Sequence, residues 1–91
     1  MEFEWDEDKN KSNQLKHGIS FEEATEIFHY PMYEIADTRR DYGEARYIGI
    51  GRNEQMVVLT VVFTDRELRV RIISARRASK SERNLYYEYC P

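Results

Sequence analysis

Hydrophobic positions are sparse at the start of the chain and dense in its middle, and their spacing turns from helical to alternating near residue 33. Phe3-Glu4-Trp5 reads as a short extended segment, after which Asp6 offers a helix N-cap. The stretch from Glu7 to His17 holds no Gly or Pro and stops at Gly18, the residue type that suits a left-handed C′ position. Its acids, Glu7 and Asp8, precede its lysines, Lys9, Lys11 and Lys16, the order the helix dipole favours. Leu15 is its one large aliphatic residue, so this helix is expected to be held along one edge. Ser20-Phe21-Glu22-Glu23 then matches a capping box, with Ile19 and Ala24 as a hydrophobic staple. Phe21, Ala24 and Phe28 make one apolar stripe on a second short helix, which Pro31 ends.

From Tyr33 the pattern predicts strands. Tyr33 to Ala36 is short, Asp37 to Glu44 is a polar loop, and Arg46 to Arg52 is a second strand. Met56 to Phe63, almost wholly apolar and β-branched, fits a central strand covered on both faces. A turn at Asp65-Arg66-Glu67 leads to a last strand over Leu68 to Ala75, completing an antiparallel meander. Ser79-Lys80-Ser81-Glu82 is another capping box, opening a helix with Leu85, Tyr86 and Tyr89 on one face. The pattern predicts an α+β domain spanning residues 1–91: an antiparallel β-sheet of about four strands, with two N-terminal helices and one C-terminal helix packed on one side of it.

Composition narrows this picture in three ways. Ninety-one residues suit one domain with a modest core, and 34% charged residues demand a densely charged surface. Cys90 is the only cysteine, so no internal disulfide can form and a reducing compartment is expected. The N-terminus lacks the basic and apolar regions of a signal peptide and no apolar run approaches the roughly 20 residues of a spanning helix, which predicts a cytoplasmic protein with no membrane partner. The net charge of −3 is unevenly spread: residues 1–34 carry −6, residues 35–64 are neutral and residues 65–91 carry +3. A basic back half can present a positive surface that the total conceals.

The candidate chemistry lies in basic residues. On a regularly alternating strand, Arg69, Arg71, Ile73, Ala75 and Arg77 would face one way and Val70, Ile72, Ser74 and Arg76 the other. Arg76 and Arg77 fall where strand gives way to helix cap, a place where backbone donors and guanidinium forks can converge on a phosphate. Arg46 and Arg52 share the face bearing Ile48 and Ile50 but stand about 20 Å apart, so at most one belongs to a compact site. Gly49 and Gly51 leave the opposite face bare, which suits close helix packing. Lys16 and His17 form a second cluster, where a histidine able to exchange protons adjoins a cation, a pair fit for RNA cleavage by attack of the 2′-hydroxyl. His17, His29 and Cys90 have no metal-ligand spacing, so neither a metal nor any other cofactor is expected.

Taken together, Phe3-Glu4-Trp5-Asp6, Lys16-His17-Gly18-Ile19 with Phe21, Asp41-Tyr42-Gly43-Glu44 with Arg46, and Arg71-Ile72-Ile73-Ser74-Ala75-Arg76 resemble the BrnT toxins over nearly the whole chain. The resemblance implies a RelE-like fold, metal-independent RNA cleavage, and inhibition by a cognate BrnA-type antitoxin that links the complex to operator DNA. It points to Lys16, His17, Arg46, Arg76 and Arg77 as site residues. In the resulting reading Arg76 and Arg46 stabilise charge on the scissile phosphate, Arg77 or Lys16 orients the backbone, His17 transfers protons, and Arg52 is a further substrate contact. The rival reading is a non-catalytic protein-interaction module whose basic strand docks an acidic partner.

Overall fold

The computed structural model describes residues 1–90. Its strands are β1 (Glu2–Glu4), β2 (Tyr33–Ala36), β3 (Tyr47–Arg52), β4 (Val58–Arg66) and β5 (Arg69–Arg77). Its helices are α1 (Glu7–His17), α2 (Phe21–Ala24), continued by a 3₁₀ segment over Thr25–His29, and α3 (Lys80–Tyr89).

Helix ends follow local chemistry. Asp6 accepts hydrogen bonds from the amides of Asp8 and Lys9, and Gly18 closes α1 at φ +71°. Ser79 and Glu82 form the complete reciprocal box at α3. At α2 only half of the expected box forms: Ser20 accepts from the Glu23 amide, but the Glu23 carboxylate turns away to accept from Asn53 Nδ2 at 2.8 Å.

The sheet differs from expectation in strand number and direction. It has five strands in the order β1-β5-β4-β3-β2, and it is mixed, because β1 lies parallel to β5 with Glu2, Phe3 and Glu4 opposite Arg69, Val70 and Arg71. Phe3 packs against the core while Glu2 and Glu4 reach Arg69 and Arg71, so a three-residue segment is held by one apolar and two ionic anchors. The β4–β5 turn also comes later than predicted: β4 continues through Arg66, and Glu67-Leu68 turn the chain.

A bulge resets the alternation of β5. Val62 pairs with Ser74 but Phe63 pairs with Ile72, leaving Ile73 without a partner residue. Val70, Ile72, Ala75 and Arg77 therefore share one face, and Arg69, Arg71, Ser74 and Arg76 share the other. The strict alternation predicted for this strand, which set Arg71 and Arg76 on opposite faces, fails at Ile73.

The helices flank both faces, not one. Phe21, Ala24 and Ile27 are fully buried against Leu59, Val61, Phe63, Ile72 and Ala75 on the first face. There Gly49 and Gly51 admit Ile27 and Met32 so closely that a Cβ on Gly51 would stand 3.0 Å from Met32 Cβ, as the bare glycines anticipated. Helix α3 instead lies on the second face, where Tyr86 and Leu85 pack with Ile50, Val58 and Ala78.

Candidate active site

Helix α3 covers only part of the second face, and cross-strand register orders what remains in rows. Tyr33, Ile50, Thr60 and Arg76 form the row beneath α3. Ile35, Ile48, Val62 and Ser74 form the next, all at least partly exposed. The outermost holds Thr64, Arg71 and Glu4, and one further step of the β3–β4 register places Arg46 opposite Thr64. The two outer rows lie about 13 Å apart along the strands. An open floor of Ile48, Val62 and Ser74 is thus bounded by Arg46 and Arg71 at one end and Arg76 at the other.

Each arginine is oriented by a neighbour. Arg71 Nη1 donates to Glu4 at 3.0 Å. The Arg46 guanidinium sits 4.0 Å above the Tyr42 ring, and its buried Nε finds no partner among the described residues; the same holds for the buried Thr64 Oγ1 in the same row. Tyr42 donates its hydroxyl to Asp37, a buried carboxylate that also receives Nε and Nη2 of Arg39, both at 2.8 Å. These bonds, chiefly that from Arg39, hold the Asp37 carboxyl well below the usual range. The loop over residues 37–46 is closed at its base by the Asp37 amide donating to Arg46 O at 2.8 Å. Arg39 on this loop comes close enough to Arg76 for its charge to oppose that of Arg76.

Arg76 is gripped by α3: its Nη1 and Nη2 donate to the two oxygens of Glu82 at 2.7 and 2.9 Å. The pair raises the Arg76 pKa and, with bonds from Ser79 N and Thr60 Oγ1, draws the Glu82 carboxyl down to about 2. Arg76 thus has a structural partner in Glu82 as well as an exposed guanidinium.

The remaining sequence candidates lie elsewhere. Asn13 of α1 bonds the backbone of Ala75, and Glu4 precedes α1 beside Arg71, so α1 runs along the free edge of β5 in the same direction. One turn past Asn13 advances about 6 Å, nearly the advance from Ala75 to Arg77 on a strand. His17, half-buried, therefore comes level with Arg77 at this edge, with exposed Lys16 beside it. Arg77 is exposed on the first face, opposite Leu59, while Arg76 reaches the second. Arg52 stands at the far end of β3, opposite Val58, with its guanidinium 3.5 Å above the Tyr30 ring. The fold separates it from Arg46 instead of gathering the two, as their spacing required.

Two contributors escaped the sequence reading. Arg71 was not taken as a site residue, because the bulge that turns it toward Arg76 leaves no signature in residue types. Arg39 was not singled out, although the pattern Asp37-x-Arg39 before Tyr42 could have suggested a buttressed loop. Among the described residues, no group of three or more His, Cys, Asp or Glu side chains could hold a metal ion, and no helix is long and apolar enough to cross a membrane.

A sequence profile described as the ribonuclease toxin BrnT of type II toxin–antitoxin systems matches residues 5–82, a span containing every arginine of this face. The crystal structure of the Brucella abortus ribonuclease toxin BrnT is similar, with a TM-score of 0.65 and 26% identity over 88% of this chain and 99% of that one. Comparison with curated proteins yields no match.

Proposed function

Since the chain belongs to the BrnT family of ribonuclease toxins from type II toxin–antitoxin systems, we propose that it is an endoribonuclease that cleaves RNA on the open half of its second sheet face, without a metal ion. The observation that carries this reading is the gathering of Arg46, Arg71 and Arg76 around one uncovered floor. Attack of a 2′-hydroxyl on the adjacent phosphate forms an O2′–P bond, breaks the P–O5′ bond, and concentrates negative charge on the phosphoryl oxygens in between. Fixed cations beside that position stabilise the transition state, usually the largest catalytic contribution. Arg76 and Arg46 are assigned to it, with Arg71 as a companion of Arg46. His17, at the β5 edge, takes the proton from O2′ or returns one to O5′, and Arg77 and Lys16 orient the flanking backbone. Arg52 is left out of this site.

Membership in a toxin–antitoxin family supports an antitoxin partner. We assign it as a BrnA-type protein that covers the same basic face and alone brings the complex to operator DNA, both proteins residing in the cytoplasm. An acidic antitoxin segment would be steered to residues 65–91, with their charge of +3.

Incubating the purified chain with total RNA in excess EDTA tests the reading. Cleavage that persists under chelation is the expected result. Cleavage only on adding a divalent ion would end the metal-free assignment, and none at any protein concentration would favour the protein-interaction module.

A further inference from the structure

Glu82 does more than cap α3. Its Oε1 accepts from Arg76 Nη1 at 2.7 Å, from the Ser79 amide at 2.7 Å and from Thr60 Oγ1 at 3.0 Å, while Oε2 accepts from Arg76 Nη2 at 2.9 Å. Of these, a capping box needs only the Ser79 bond. The other three tie the carboxylate to β4 and β5, so its position is set by three elements at once.

The direction from which it grips Arg76 is informative. A guanidinium carries five N–H donors arranged as two forks, the end fork of Nη1 with Nη2 and the side fork of Nε with Nη2. Asp37 and Glu44 take the side forks of Arg39 and Arg66. Glu82 takes the end fork of Arg76, and the second Nη1 hydrogen points to Arg77 O at 3.3 Å. The two donors left over, on Nε and Nη2, form the side fork, which has no partner among the described residues. That fork matches two oxygens of a phosphate, and the Arg76 side chain is 45% exposed.

We propose that Glu82 is a positioning residue: by filling the end fork of Arg76 it fixes the guanidinium plane and presents the side fork to two oxygens of an RNA phosphate. The idea rests on the ribonuclease reading for its activity readout and on geometry alone for its binding readout. A carboxylate in the end fork leaves the side fork free for an anion, so the fork that Glu82 fills decides which edge of the guanidinium is offered.

Two measurements on the full chain test this. In the first, kcat for RNA cleavage is compared among wild type, Glu82→Gln, Arg76→Ala and the double variant, with thermal melting of each. Glutamine keeps one acceptor for the Ser79 amide but loses the two-oxygen grip, so kcat is expected to fall about tenfold to a hundredfold with KM nearly unchanged, the scale seen when an orienting partner is lost. In the Arg76→Ala background the same change should cost nothing more. Arg76→Lys, which keeps the charge and an ion pair but has no second fork, should lose cleavage as Arg76→Ala does, and this arm stands even where Glu82→Gln fails to fold. In the second, the Arg76 Nε–H resonance is followed as inorganic phosphate is added, with a shift expected in wild type and at least a fivefold weaker response in Glu82→Gln. Independent losses in the double variant, a lysine variant that cleaves within about twofold of wild type, or a phosphate response unchanged by Glu82→Gln each overturns the proposal. Faster cleavage by Glu82→Gln also overturns it, by making Glu82 a mask. If wild type cleaves no RNA, the ribonuclease reading fails and the phosphate titration alone decides the positioning role.

Discussion

The side chain of Asn13 takes the place of a neighbouring strand for Ala75, donating from Nδ2 to Ala75 O at 2.7 Å and accepting from Ala75 N at 3.2 Å through Oδ1. Its Nδ2 also donates to Ile19 O at 2.8 Å, so one amide joins α1, the α1–α2 corner and the edge of β5 beyond β1. Leu15, the aliphatic residue of α1, is instead 91% exposed. Polar pairing holds this helix in place.

Asn13→Ala should therefore be one of the costlier single changes in the chain. It leaves the buried N–H and C=O of Ala75 without partners, at about 1–3 kcal/mol each. Urea unfolding is expected to report a loss of about 3 kcal/mol, and a loss below about 0.5 kcal/mol would show that water replaces the amide. Because α1 carries His17, cleavage should fall beyond what the folded fraction explains.

Gly51→Ala should destabilise through crowding. The added Cβ would stand 3.0 Å from Met32 Cβ and 3.1 Å from Ile27 Cβ, and both neighbours are held by the 3₁₀ segment and the turn behind it. A cost of about 1–3 kcal/mol is expected, read as a lower melting temperature. An unchanged melting temperature would mean that the segment shifts freely off the sheet.

Arg46→Ala and Arg71→Ala should separate catalysis from stability. Arg71 pairs with Glu4 at a partly exposed site, so its removal should cost no more than about 1 kcal/mol. Loss of one donor to the transition-state charge typically costs about 10²–10³ in rate. Single-turnover cleavage by the folded variants checks this, and rates near wild type for both would move the site to the Lys16, His17 and Arg77 edge.

Acid unfolding should depend on Glu82. Its carboxyl lies near 2 in the folded protein against an ordinary value of 4.5, because Arg76, Ser79 and Thr60 all favour the charged form. A lowered folded pKa means stability that is present above pH 4.5 and drains away as the pH falls toward 2. Asp37, lowered by Arg39 and Tyr42, acts in the same direction. Glu82→Gln should flatten the fall in melting temperature between pH 4.5 and 2, and an unaltered slope would place the acid sensitivity on other carboxylates.

The sequence by itself determined what local chemistry decides. Asp6 and Gly18 bound α1, Ser79 and Glu82 start α3, and the glycines of β3 mark the face where Ile27 and Met32 press close, because each of these needs only its own neighbours along the chain or a missing side chain. The family was also legible, since its motifs are strings of residue types. Tertiary structure alone decided which side chains meet. Ile73 becomes an extra residue only when β4 supplies the register against which β5 is counted, and that single residue brings Arg71 and Arg76 to one face. β1 joins β5 in parallel through pairs 67 residues apart in the chain, Glu2 with Arg69 and Glu4 with Arg71, which no local window contains. Glu23 leaves its capping box for Asn53 for the same reason: a buried amide 30 residues away competes for the carboxylate more strongly than a backbone N–H that water can satisfy.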